Sequence, residues 1–171
     1  MHVREATDGD LPAILDIYNH AIETTTAVFS YAPHTLEMRR QWFAEKRAKG
    51  HPVLVADAGG QVAGFATYGP FRAWPAYRYS VEHSVYVAHG QRRRGFARGL
   101  MGQLLTRARA QDLHAVIGGI VSENAASLAL HRDLGFQQVA HFREVGFKFG
   151  RWLDLTFMQV VLDTPARPVE G

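Results

Sequence analysis

The spacing of apolar positions changes several times along the chain, and each change marks an element. Leu11, Ile14, Leu15 and Tyr18 recur at helical intervals, so a helix begins after Asp8 or Asp10, either of which can cap it, and Val3–Ala6 ahead of it reads as a short strand. Thr24-Thr25-Thr26 interrupts that helix. Thr35 caps a second helical stretch that runs to about Lys49, with Leu36, Trp42 and Phe43 among its apolar residues, until Gly50 stops it. Val53–Ala56 and Val62–Tyr68 flank Gly59-Gly60, which predicts a hairpin.

Strict alternation returns at Val81–Val87. It puts Val81, His83, Val85 and Val87 on one face and Glu82, Ser84 and Tyr86 on the other. Gly95–Gln111 switches to helical spacing, with Ala97, Leu100, Met101, Leu104, Leu105 and Ala108 as one apolar stripe. Ala115–Val121 reads as a buried strand, Asn124 as the cap of a helix over Ala125–Leu134, and Gly135 as its C′ residue. Phe136–Val145 and Trp152–Leu162 are the last strands. These elements predict an α/β (α+β) fold with a mixed central sheet of about seven strands and four main helices, in a single domain over residues 1–163. Pro165 and Pro168 lie in the remainder, 164–171, which reads as a flexible C-terminal tail.

Composition removes whole classes of chemistry. The 171 residues fit one core, and zero cysteines exclude disulfides, cysteine zinc sites, iron–sulfur clusters and thiol nucleophiles. The nine histidines show no H-E-x-x-H or similar ligand spacing, so no metal is expected. No run of apolar residues is long enough for a membrane span and the start of the chain lacks a signal-peptide core, so a soluble, cytoplasmic protein without a membrane partner is the expectation.

The formal net charge of +3 does not by itself argue for nucleic acid, and no helix-turn-helix or RNP-like pattern appears. Its distribution says more: Arg92, Arg93, Arg94 and Arg98 cluster with no acidic residue between Glu82 and Asp112. The cluster opens a helix after a strand. There, free backbone N–H groups and the helix dipole favour an anion, and Gly95 and Ala97 leave room for a phosphate. A solvated loop at a helix start accounts equally for bare arginines. The segment is neither G-x-x-x-x-G-K-[ST] nor G-x-G-x-x-G, so a P-loop ATPase and a standard dinucleotide fold lose support while a pyrophosphate does not.

Between Gly69-Pro70 and Ser80, the loop Phe71-Arg72-Ala73-Trp74-Pro75-Ala76-Tyr77-Arg78-Tyr79 combines four aromatic residues with two arginines. Ring faces and guanidinium forks suit a small organic anion, and rings that plug the end of the core fit the same residues.

Arg92-x-x-Gly95-x-Ala97 resembles the [QR]-x-x-G-x-[GA] acetyl-CoA motif of the GNAT N-acetyltransferases. Asn124-Ala125-Ala126-Ser127 followed by Leu130-His131-Arg132-Asp133-Leu134-Gly135-Phe136 is similar to that superfamily's downstream block. Val81–Val87 and Val145–Gln159 further resemble the subfamily of phosphinothricin and methionine sulfone/sulfoximine N-acetyltransferases, and the likeness extends from Arg4 through Leu162. It implies a GNAT fold and acetyl-CoA as cosubstrate. The cofactor would meet Arg92, Arg93, Arg94, Gly95, Phe96, Ala97 and Arg98, the strand backbone at Val85, Tyr86 and Val87, and Asn124 and Ser127. Ala97 replaces the more usual second glycine, and Arg94 and Phe96 crowd the loop. Val121 stands where close relatives often carry glutamate, which bears on the substrate.

The implied reaction is acetylation of the α-amino group of a small amino acid or analogue. The ammonium must lose a proton before attack, and Glu82, in an otherwise apolar strand, is the candidate base because burial raises a carboxyl. A structural carboxylate paired with Arg72 or Arg78 is the other reading. A strand splayed from its neighbour would offer N–H groups to the oxyanion near Val85–Val87. The resemblance puts His131 where the wider superfamily often has a tyrosine that protonates the leaving thiolate. Arg72 and Arg78 are candidates to clamp a substrate carboxylate, and Phe29, Phe71 and Tyr79 to wall the side chain, although such aromatics also serve as plain core. A homodimer is implied, with Phe147, Phe149 and Trp152 near the contact. Other acceptors (a polyamine, an aminoglycoside or a protein N-terminus) and a non-catalytic CoA-binding sensor remain as alternatives.

Overall fold

The computed structural model describes residues 2–170. Along them run β1 (His2–Glu5), α1 (Leu11–Thr24), α2 (Leu36–Ala48), β2 (Val53–Asp57), β3 (Val62–Pro70), β4 (Ser80–Val87), α3 (Phe96–Ala110), β5 (Ala115–Val121), α4 (Ala125–Asp133), β6 (Gln137–Lys148) and β7 (Arg151–Val161). Seven strands and four helices are thus present, as the sequence pattern predicts. The strands follow the order β1-β2-β3-β4-β5-β7-β6. β4 and β5 are parallel, whereas β1-β2, β2-β3, β5-β7 and β6-β7 are antiparallel, which makes the sheet mixed. No helix among the described residues is long and apolar enough to cross a membrane.

Contacts gather the chain into two units. The first runs to Tyr68 and takes in Ser84–Leu104; the second comprises Gly69–His83 and everything from Leu105 onward. In the first, the α1 stripe buries Leu11, Ile14 and Ile17 with Phe43 of α2 and Val53, Val55 and Phe65 of the hairpin. At fully buried positions each such side chain stabilises by about 1.5–3 kcal/mol. Asp10 precedes α1, but its carboxylate accepts from Arg4 at 2.8 and 2.9 Å and from the Thr7 N–H at 2.7 Å instead of capping the helix. Arg4 and those donors hold Asp10 down at about 2. Thr35 does cap α2, accepting from the Met38 N–H.

In the second unit, β5 pairs with β7 over its whole length, from Ala115↔Val161 to Val121↔Leu155. Its ladder with β4 is shorter: it runs from Ser80↔Ala115 to Glu82↔Ile117 and stops there. Asn124 accepts from the Ser127 N–H to open α4, and Gly135, at φ +88°, ends it in the left-handed conformation that glycine adopts without strain. The last two strands are longer at the turn than the pattern suggests. β6 continues to Lys148, and Phe149 and Gly150 form a two-residue turn with both φ positive, the geometry that matches strand twist in tight hairpins. The segment after β7 is tied back: His114 Nδ1 bonds the Thr164 carbonyl at 2.8 Å, and the Tyr79 hydroxyl meets the Val169 N–H at 3.0 Å and the Val169 carbonyl at 3.1 Å.

Candidate active site

In the second unit the site is built where β4 and β5 still pair. Glu82 is partly buried on β4, and desolvation raises its carboxyl while the Arg72 charge opposes that rise. The space its side chain occupies exists because β5 carries glycine: a Cβ on Gly119 would sit 3.3 Å from Glu82 Oε1 and 3.0 Å from the Phe157 ring. Phe157 in turn meets Phe71 and Phe142 edge-on, with ring centroids 6.2 and 5.5 Å away. A partly desolvated carboxyl with one guanidinium nearby holds its proton at higher pH than an exposed glutamate.

The neighbouring residues on the two strands do something different. His83 is buried and occupies the space a Cβ would take at Gly118, where its Nε2 would lie 2.4 Å away. Its ring stacks on His131 of α4, centroids 5.0 Å apart, and the two Nε2 atoms are 3.0 Å apart. His131 Nδ1 is 2.7 Å from the Ser127 carbonyl, which can only accept, so Nδ1 carries the hydrogen and Nε2 accepts from His83. Desolvation keeps both rings neutral, lowering His83 to about 3 and His131 in the same direction. His131 is therefore not presented as an acid for a leaving thiolate. It is 1 % exposed and both its nitrogens are engaged inside the protein. The sequence signal for this packing is the pair Gly118-Gly119 inside a buried strand, since such a pair usually marks close approach.

The aromatic loop sorts its members. Arg72 lies on the Phe71 ring, 4.1 Å from its centroid, and donates to the Phe71 carbonyl at 2.7 Å. Arg78 lies 5.0 Å over Tyr79. Both arginines are exposed, as are Trp74 and Tyr77. Tyr79 is held at both ends: its hydroxyl is bonded to Val169 and its carbonyl accepts from the His114 and Ala115 N–H groups. Asn124 and Ser127 are occupied in opening α4, and Ser127 Oγ is 3.5 Å from His131 Nδ1.

In the first unit, Val85, Tyr86 and Val87 continue β4 into a 3-10 turn, His89–Gln91, and then into Arg92–Gly95 ahead of α3. Arg93 and Gly95 have φ of +62° and +82°, with Arg94 between them, so the chain enters α3 through left-handed backbone. A Cβ at Gly95 would meet nothing within 4 Å, leaving the backbone open to a ligand. Arg94 bonds Gln91 and leans over Phe96. Phe96 does not crowd the loop as expected. It is 4 % exposed and belongs to the core, so only its backbone faces the helix start. Arg92, Arg93, Arg94 and Arg98 are exposed, and Ala97 is partly so. Phe29, also in this unit, is 46 % exposed. Among the described residues no group of three or more His, Asp or Glu side chains is arranged to hold a metal ion.

Residues 3–157 match the family described as the acetyltransferase (GNAT) domain. The chain is 50 % identical over 162 residues to the L-methionine sulfoximine/L-methionine sulfone acetyltransferase of Pseudomonas aeruginosa, covering 94 % of each chain. It is 41 % identical to the phosphinothricin N-acetyltransferase of Streptomyces coelicolor, over 93 % of this chain and 95 % of that one. A Salmonella typhimurium acetyltransferase solved with acetyl-CoA superposes with a TM-score of 0.97 at 43 % identity, covering all of this chain and 99 % of the other.

Proposed function

Since the chain belongs to the GNAT acetyltransferase family, we propose that it transfers acetyl from acetyl-CoA to the α-amino group of a small amino acid or analogue of the methionine sulfone, methionine sulfoximine or phosphinothricin type. Transfer is direct, with Glu82 as base and no acetylated residue. The single observation that carries this reading is a half-buried carboxyl, raised by desolvation, in the gap left by Gly119. The names of the relatives support the acceptor class.

The residues at the start of α3 fit the cosubstrate. Left-handed φ at Arg93 and Gly95 and open space at Gly95 suit a pyrophosphate on N–H groups, with Arg92, Arg93, Arg94 and Arg98 adding charge and Ala97 leaving clearance. The bound thioester supplies an activated acetyl group. Glu82 takes the ammonium proton, which frees the lone pair for attack. Backbone N–H groups of Val85–Val87 stabilise the negative charge that develops on the carbonyl oxygen; as the adduct collapses the C–S bond breaks, and the departing CoA thiolate takes up the proton that the new amide nitrogen gives up. Arg72 and Arg78 hold the acceptor's α-carboxylate, with Phe71 against its side chain. His131 is a positioning residue: through His83 it fixes the strand position next to Glu82.

The protein works in the cytoplasm as a homodimer in this reading. Phe147, Phe149 and Trp152, which are 46, 56 and 60 % exposed at one hairpin, form an aromatic patch suited to a second copy. The deciding experiment is CoA release with methionine sulfone, methionine sulfoximine, phosphinothricin and the common amino acids, each beside its carboxamide where one exists. Turnover of acids with kcat/KM at least tenfold above their amides is expected. Release with none of the amino acids would exclude the proposal and leave a CoA-binding sensor or another amine as acceptor.

A further inference from the structure

The first unit holds a cavity of about 320 Å³ lined by α1, α2, β3 and β4. Nothing in the reaction above uses it. Its most unusual member is Arg39, 3 % exposed, whose guanidinium lies 4.2 Å from the Tyr18 ring centroid and 4.6 Å from that of Trp42. Arg39 donates to His34 Nδ1 at 3.0 Å, and its Nε–H has no partner. His34 is fixed by Asn19, which donates to its carbonyl at 2.9 Å and accepts its N–H at 2.8 Å.

A second cation lines the same cavity. Lys46 donates to the Tyr68 carbonyl at 2.7 Å, and burial lowers it to about 8, so it still carries a proton at neutral pH. Glu45 is the carboxylate on the lining. It is exposed, and it accepts from Gln41 at 3.3 Å rather than from either cation. No carboxylate among the described residues pairs with Arg39 or Lys46. A buried guanidinium without a counter-ion is costly, and stacking on two rings offsets that cost only in part. A carboxylate entering the cavity would meet the guanidinium of Arg39, which lines it, a second positive charge, and Trp42 and Phe65 for its apolar body.

We propose that this cavity is a binding site for a small organic monocarboxylate whose apolar body lies against Trp42 and Phe65 and whose oxygens meet Arg39, with Lys46 as the second charge. The occupant is a separate metabolite of that chemistry, since the acceptor's carboxylate is assigned to Arg72 and Arg78, which do not line this cavity. The site stands independently of the acetyl-transfer reading, because the test needs no turnover.

Benzoate and its uncharged isostere benzamide are titrated into the full-length protein, while the Arg39 Nε–H resonance and Trp42 fluorescence are followed. Benzoate should shift the Nε–H signal saturably and bind at least tenfold more tightly than benzamide. Arg39→Gln should lose at least tenfold in benzoate affinity, and if that variant does not fold, Lys46→Met should lose about threefold or more. Equal affinity for benzoate and benzamide, or an Nε–H signal unmoved at saturation, would overturn the proposal, as would a folded Arg39→Gln or Lys46→Met that binds like wild type. Repeating the titration with saturating methionine sulfone should leave benzoate binding unchanged; weakened binding would overturn the proposal by making the cavity part of the acceptor's site.

Discussion

His83 Nε2 donates to His131 Nε2 across 3.0 Å, joining two residues 48 positions apart through rings that are both buried. Each ring is held below its ordinary value of about 6.5 by burial. The unfolded chain therefore binds more protons than the folded one once the pH falls below about 6.5. The stability contributed by the neutral pair is complete above that pH and is lost as pH drops toward about 3. Urea unfolding at pH 7.5 and 5 should reveal a loss of up to ~1.4 kcal/mol per pH unit for each histidine. Asp10, held at about 2, keeps its stabilising contribution above its ordinary value of 3.8 and loses it only below that, outside the pH 5 to 7.5 comparison. His83→Gln should flatten the slope; an unchanged slope would mean that the pair takes up its protons while folded.

Gly118 and Gly119 should separate stability from chemistry. Gly118→Ala drives a methyl into the buried His83 ring, an overpacking expected to cost about 1–3 kcal/mol in denaturant unfolding. Gly119→Ala meets the edge of Phe157 and the mobile end of Glu82. It should leave the unfolding midpoint nearly in place and lower kcat. The reverse pattern would contradict the placement of Glu82 as base.

Glu82→Gln should reduce kcat by about 100-fold or more with acetyl-CoA affinity unchanged, since only proton acceptance is removed. The acid limb of kcat/KM should lie above the ordinary carboxyl range, because burial raises Glu82. Arg72 opposes that rise, so Arg72→Met should carry the limb to still higher pH. A limb that stays put in Arg72→Met assigns it to another group.

At the start of α3, Gly95→Pro should abolish acetyl-CoA binding by calorimetry, because proline fixes φ near −65° where the backbone sits at +82°. Arg93→Ala and Arg93→Gly should both weaken binding through lost charge. Of the two, the glycine variant should be the more stable by about 1 kcal/mol, since φ is +62° there. Equal unfolding midpoints for the pair would show that the left-handed conformation is relaxed in the free protein.

Local signals in the sequence were reliable where one residue answers for one turn of chain. Thr35 and Asn124 cap the helices they were expected to cap, and Gly135 ends α4. What local pattern could not carry were pairings between distant residues. His131 reads as a reactive histidine until His83 is found against it. Nothing local to Tyr79 shows that its hydroxyl reaches Val169, 90 positions away. Arg39 looks like one more polar residue of α2, although it lies three residues after Leu36 and three before Trp42, and so on the apolar side of the helix.

β6 is the last strand of its sheet, and Val139, Phe142, Val145 and Phe147 are exposed along it. A long apolar edge of that kind is a template for endless strand addition. Here the ladder is interrupted. β6 advances from Phe142 to Gly146 while β7 advances only from Leu155 to Leu153, Glu144 takes φ +52°, and its N–H is claimed by Asp154 Oδ1 at 2.8 Å. The interruption divides the edge into two short runs that do not continue one another. An edge broken in this way offers no long, flat template to a strand of another molecule, which is how a bulge guards an apolar rim against open-ended strand addition.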